Sequence, residues 1–264
     1  MSEPVAGNFV EVFSSVQGEG PHVGEATLFV RLGVCDLRCR WCDSPHTWGP
    51  SAACRIESAR GSGAFRSAPN PMAVGDVLEA AEALDLDAHA FVSLTGGEPL
   101  LQPAVVAALG AALRGRRPRV HLETHGLHAE ALERVLGAID VVSMDWKLAS
   151  DVRREGEPLA VLAQPGRDFH AAHERFLRVA LGAPERYVKI VVTPASGDAE
   201  VIEACERIAR IAPDTLVVLQ PVTPFGPVRE RPTAKRMLAL AARAERVLAA
   251  VRVIPQTHPV YGAP

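Results

Sequence analysis

Cys35, Cys39 and Cys42 stand three and two residues apart in the run CDLRCRWCDS, with no fourth cysteine beside them. A closed structural zinc site takes four ligands, so three thiolates leave one coordination position free for chemistry. A zinc ion would need one more ligand, for which His46, His125 or His258 could serve. An iron-sulfur cluster on three thiolates keeps one iron free to bind a reactant. Further polar motifs each follow an apolar run: TGGEP at 95–99, ETHG at 123–126, DWK at 145–147, VVTP at 191–194 and QPVTP at 220–224. Singly each has a bland reading. Gly96 and Gly97 make a turn, Glu123 caps a helix, Lys147 is a solvated charge. Their joint appearance favours a site, and a zinc module leaves them unexplained.

The elements that must position these residues are legible as an alternation. Short β-branched runs (ATLFVRLG, AFVSLTG, RVHLETHG, VVSMDWK, RYVKIVVTP, TLVVLQPV) alternate with segments of helical period at 73–86, 99–113, 129–137, 168–181, 198–211 and 233–250. That pattern predicts βαβ units and a mainly parallel sheet. In the fifth helix Val201, Ile202, Cys205, Ile208 and Ala209 recur at three-to-four spacing, with Asp198 or Ser196 placed to cap it. All the polar motifs, and the cysteines after the first strand, then fall at C-terminal strand ends. In parallel β/α folds that edge is the mouth of the active site. The segments 49–71 and 150–164 break the rhythm and are expected to be surface loops.

Composition sets the outer bounds. A chain of 264 residues with 48% hydrophobic and 22% charged residues is long enough for a large core and is not disordered. A net charge of -3 without a Lys/Arg cluster argues against nucleic acid as a partner. No apolar run is long enough to span a membrane, and a basic segment followed by an apolar one is absent at the start, so a cytoplasmic protein is expected. Five cysteines, three of them crowded, fit a reducing compartment and a metal centre. Cys205 is expected to be a buried apolar residue in its helix, and Cys54 to lie in a loop without a role.

The triplet Cys35, Cys39, Cys42 followed by GGEP resembles the radical S-adenosylmethionine superfamily. With SVQGEG at 15–20, FVRLGVC, CDS, SLTGGEPLLQ, LETHG, LQPVTP and QTH, the whole chain is similar to its 7-carboxy-7-deazaguanine synthase family. QGEG is the most discriminating element. The resemblance implies a single domain over 1–264, with an insertion at about 49–71, folded as a partial (β/α)6 TIM-like barrel. It implies a [4Fe-4S] cluster on Cys35, Cys39 and Cys42, S-adenosylmethionine on the fourth iron, and Mg2+ on Ser44, where many relatives have threonine. Trp41, Cys42, Asp43, Gly97, Glu123, Ser143, Asp145, Lys147, Gln220, Pro221, Val222 and Thr223 would bind the cofactor. Val16, Gln17, Gly18, Glu19, Arg31, Thr95, His258 and the terminal carboxylate of Pro264 would bind the substrate, with the Arg31 guanidinium on its carboxylate. The implied reaction contracts 6-carboxy-5,6,7,8-tetrahydropterin to 7-carboxy-7-deazaguanine with loss of ammonia, after hydrogen abstraction at C6 of the pterin. A flavodoxin- or ferredoxin-type electron donor and a homodimer are also implied, and membrane or nucleic-acid partners are not. A glycyl-radical-enzyme activase shares the triplet and GGEP but needs a large protein partner and not QGEG.

Overall fold

The computed structural model of the chain describes residues 4–260 and 262. Ten strands form one sheet. In chain order they are β1 (Phe9–Val16), β2 (Ala26–Leu32), β3 (Ala53–Glu57), β4 (Phe65–Pro69) and β5 (Phe91–Gly96). They continue with β6 (Arg119–Thr124), β7 (Val141–Asp145), β8 (Glu185–Val192), β9 (Leu216–Pro221) and β10 (Val251–Val253). The spatial order is β10-β9-β8-β7-β6-β5-β2-β1-β3-β4. From β2 through β5 to β10 every neighbouring pair is parallel. The crossovers carry α1 (Val74–Ala83), α2 (Pro103–Leu113), α3 (Ala129–Val135), α4 (His170–Ala180), α5 (Asp198–Ile211) and α6 (Ala234–Ala244). This is the expected partial barrel of six β/α units, open because β10 and β4 are unpaired at the two ends of the sheet.

Side chains alternate across a strand, and here the two faces differ in chemistry. Val92, Leu94, Val120, Leu122, Val142, Met144, Val188 and Ile190 face the helices and join one apolar core with Val105, Leu132, Phe176, Cys205 and Leu240. The intervening Ser93, Thr95, His121, Glu123, Ser143, Tyr187 and Lys189 are turned inward, and all but Glu123 are at most 9% exposed. The concave face is therefore polar, which an ordinary sheet core is not.

Several boundaries and loops differ from expectation. The segment 49–71 is no plain loop: it folds into the β3-β4 hairpin, which extends the sheet through a parallel β1-β3 pairing. Cys54 accordingly sits buried in a strand. The segment 150–164 contributes the short strand Val152–Arg154, antiparallel to Leu37–Cys39. Strand β1, FVEVFSSV, shows neither a continuous apolar run nor a strict alternation, so periodicity does not mark it as a strand. The second helix begins only at Pro103, after a 3-10 turn at Pro99–Leu101, since proline suits a first turn but cannot accept a place in the helix interior. The sixth stops at Ala244, short of 250. Neither expected cap serves α5: its N-cap is Gly197. Ser196 Oγ donates instead to Asp151 Oδ2 at 2.8 Å, and Asp198 accepts from Arg236 Nε at 2.8 Å.

Candidate active site

The cysteine loop is held from three sides. The Cys35 amide donates to the Trp48 carbonyl at 3.1 Å and the Arg40 amide to the Asp151 carbonyl at 3.0 Å. Cys39 lies opposite Val152 in the two-stranded ribbon. From the third side the GGEP turn donates into the same loop, Gly97 N–H to Leu32 O at 2.9 Å and Glu98 N–H to Val34 O at 2.8 Å. A Cβ on Gly97 would collide with the Val34 carbonyl oxygen, so glycine is required there by the packing of the cysteine loop. Glu98 is fully buried and accepts from Leu100 N at 2.9 Å, Thr124 Oγ1 at 2.8 Å and His125 N at 2.8 Å. It thereby fastens the GGEP turn to the ETHG turn.

The three thiols are free and line one cavity of about 400 Å3. Burial pushes Cys35 up to about 11 and Cys39 up to about 12, and it raises Cys42 as well. A metal centre must displace those protons. Among the described residues, the metal-type donors that converge to within 4.8 Å are Asp36, His125 and His128; the three sulfurs do not form such a group. Thiolates on one tetrahedral zinc would sit about 4 Å apart. The donor set fits a multi-iron cluster rather than a single ion.

Beside the thiols runs a buried series of alternating charges. Lys147 Nζ lies 4.5 Å above the Trp41 ring and 2.6 Å from Asp145 Oδ2. Asp145 Oδ1 is 3.2 Å from Lys189 Nζ, which also pairs with Glu19. Burial opposes charge on both lysines, but the surrounding anionic groups, Asp145 foremost, with Glu19 and Glu123 beside Lys189, together outweigh it and hold both pKa values above the usual range. Burial also opposes charge on Asp145, and the two ammonium groups overcome it and hold its carboxyl low. Two fixed ammonium groups at a cavity wall suit an anionic ligand carboxylate.

Because β1 is antiparallel to β2, with Val16 opposite Ala26, QGEG leaves the opposite end of the sheet from the cysteines. It runs inward and floors the cavity. Gln17 Nε2 donates to Glu123 Oε1 at 3.0 Å, and Gln17 Oε1 accepts from the Glu19 amide at 3.0 Å. Glu123 accepts from Ser93 Oγ at 2.7 Å and Thr95 Oγ1 at 3.1 Å. The tail folds over this turn, with Thr257 N–H on the Gly18 carbonyl at 2.9 Å and a Gly18 Cβ barred by the His258 ring. Arg31 is ion-paired with Glu11 at 3.1 Å and sits 3.4 Å from Ser44 Oγ. Ser44 Oγ caps nothing; it donates to Asp43 Oδ1 at 2.9 Å.

Of the expected residues, Val16, Gln17, Gly18, Glu19, Arg31, Cys35, Cys39, Trp41, Cys42, Asp43, Ser44, Thr95, Gly97, Glu123, Asp145, Lys147 and His258 line this cavity. Ser143, Gln220, Pro221, Val222 and Thr223 are not among its lining residues. Ser143 is buried and stands opposite Tyr187 in the β7-β8 register, and Val222 packs with Val191, Val228 and Trp41. Pro264 lies outside the described residues. Sequence reasoning missed Glu11, Lys189 and Gln256. Lys189 stands two residues after Tyr187 in β8 and so shares its inward face, a phase that identifies it only once that face is known. Gln256 Nε2 bridges Glu19 and Asp43, the latter at 3.1 Å.

A family model described as the Radical SAM superfamily matches residues 30–222 of this chain. The chain is 37% identical to the 7-carboxy-7-deazaguanine synthase of Geobacter sulfurreducens, covering 99% of each chain. It is 33% identical to the 7-carboxy-7-deazaguanine synthase of Methanothermobacter thermautotrophicus, covering 96% of each. Its fold is similar to the crystal structure of QueE from Escherichia coli, with a TM-score of 0.63 and 21% identity over 96% of this chain and 95% of that one.

Proposed function

This chain belongs to the radical SAM superfamily and, within it, to the 7-carboxy-7-deazaguanine synthases, and from that premise we propose how its residues divide the work. The enzyme is a carbon-nitrogen lyase that converts 6-carboxy-5,6,7,8-tetrahydropterin to 7-carboxy-7-deazaguanine, releasing ammonia. Cys35, Cys39 and Cys42 hold a [4Fe-4S] cluster, which with S-adenosylmethionine supplies a 5'-deoxyadenosyl radical when both are bound and one electron is delivered.

The chain's own part is position, charge and exclusion of water. Trp41, Asp43, Asp145 and Lys147 line the cavity with the cysteines and would bind S-adenosylmethionine, the Lys147 ammonium supplying positive charge for its carboxylate. Gly97 serves by letting the GGEP turn close on the cysteine loop. Ser143 and the segment 220–223 act one layer away, Val222 of that segment by packing against Trp41. Val16, Gln17, Gly18, Glu19, Thr95 and His258 take the pterin from the floor side. Glu123 belongs with them, because it accepts from both Gln17 and Thr95. Arg31 pairs with the substrate carboxylate in place of Glu11. Ser44 Oγ and the Asp43 carboxylate offer hard oxygen donors to Mg2+ at the same wall.

The observation that carries this assignment is the convergence of the cysteine loop and the QGEG floor on one cavity from opposite ends of the sheet. We also propose a cytoplasmic enzyme forming one domain, a homodimer, and reduction by a flavodoxin or ferredoxin. No helix among the described residues is long and apolar enough to cross a membrane. The assignment is tested with pterin deuterated at C6. Deuterium recovered in 5'-deoxyadenosine by the wild type, and substrate affinity at least tenfold weaker in Arg31→Ala with an unchanged cluster spectrum, is the expected result. Unlabelled 5'-deoxyadenosine, or normal affinity in Arg31→Ala, would overturn the substrate pose.

A further inference from the structure

Asp36, His125 and His128 come from two segments, the cysteine loop and the connection between β6 and α3, and none of them is needed by the reaction just described. Asp36 follows the first cysteine, His125 follows β6, and His128 is the N-cap of α3. Their donor atoms nevertheless lie within 4.8 Å of one another. His125 Nε2 is 2.8 Å from Asp36 Oδ1, and His128 Nε2 is 3.3 Å from Asp36 Oδ2. The two imidazole rings are 5.0 Å apart between centroids, inclined at 51°. A second carboxylate, the fully buried Glu98, brings Oε2 to 3.3 Å from His125 Nε2. His128 Nε2 is buried without a properly oriented hydrogen-bond partner, although a carboxylate stands in front of it. A simple imidazole-carboxylate pair would align that nitrogen with the oxygen. His125 Nε2 does form such a hydrogen-bonded pair with Asp36 Oδ1, whereas His128 Nε2 faces the other oxygen of the same carboxylate without an aligned hydrogen bond.

We propose that Asp36, His125 and His128 form a second metal site, separate from the cysteine cluster and from Ser44, which takes a divalent ion of the Zn2+ class. Two imidazoles and one carboxylate are the donors that such borderline ions prefer, and they discriminate against Mg2+, which takes oxygen. The three ligands leave one position for water or Glu98. The ion staples the cysteine loop to the ETHG turn and to the start of α3, at the residue next to Cys35. Its role is to hold that loop in register. It forms no bond to substrate.

The test uses cluster-loaded, full-length protein prepared without oxygen, supplied with Zn2+ and then desalted. Zinc is counted by mass spectrometry and its shell read by X-ray absorption at the zinc edge. The proposal expects about one zinc per chain with two imidazole ligands and otherwise oxygen, with zinc retention at least tenfold lower in His128→Ala. No retained zinc, a shell containing sulfur, or equal retention in His128→Ala would overturn it. The wild-type shell decides the matter even where the variant fails to fold. The readout is zinc, not turnover, so its failure is distinct from failure of the assigned reaction.

Discussion

Gly97→Ala puts a methyl group into the Val34 carbonyl oxygen, and the only relief is displacement of the loop that carries Cys35. We expect iron content after reconstitution to fall severalfold and the thermal midpoint to drop; a fully loaded, equally stable Gly97→Ala protein would contradict the packing. His121 gives a pH dependence. Burial pushes its pKa from 6.5 down to about 4, so between those values the unfolded chain binds a proton that the folded one refuses. Stability therefore declines as pH falls from 6.5 towards 4. The slope of unfolding free energy against pH should flatten in His121→Gln, measured by urea titration across that window. The residues carrying cluster chemistry were legible because cysteine spacing and strand-end motifs are local in sequence. Lys189 and Glu11 were not, since each owes its place in the cavity wall to strand phase and to partners in other strands.

At the scale of elements, the ribbon of Leu37–Cys39 with Val152–Arg154 does what the cysteine loop cannot do alone, which is to fix an irregular segment at both ends. Arg153→Pro removes one amide from the strand opposite Arg38 and disfavours the extended pairing. Lower cluster occupancy with wild-type helical circular dichroism is the expected outcome; full occupancy would show that the ribbon is dispensable. The β/α alternation was readable because six short apolar runs alternate with six longer segments, of which α4, α5 and α6 are clearly amphipathic. The ribbon and the β3-β4 hairpin were not, because three-residue strands and edge strands of mixed polarity have too few residues to show a period. The ends of α2 and α6 depended on proline placement and on docking, which periodicity alone does not fix.

At the scale of the molecule, the sheet curls so that its helix side is apolar and its concave side carries Glu123, Asp145 and Lys189, and a loop from each end of the sheet closes the space between. The sheet remains open at β4 and β10. The proposed homodimer predicts a sedimentation coefficient for two chains at micromolar concentration, and a monomer there would contradict it. The central claim is that one cavity brings S-adenosylmethionine and the pterin together. The measurement that tests it most directly is anaerobic incubation of reconstituted protein with S-adenosylmethionine, reductant, Mg2+ and 6-carboxytetrahydropterin, followed by mass analysis. The account predicts 5'-deoxyadenosine together with 7-carboxy-7-deazaguanine, both lost in Cys39→Ala; 5'-deoxyadenosine without the deazapurine, from protein with an intact cluster, would contradict it.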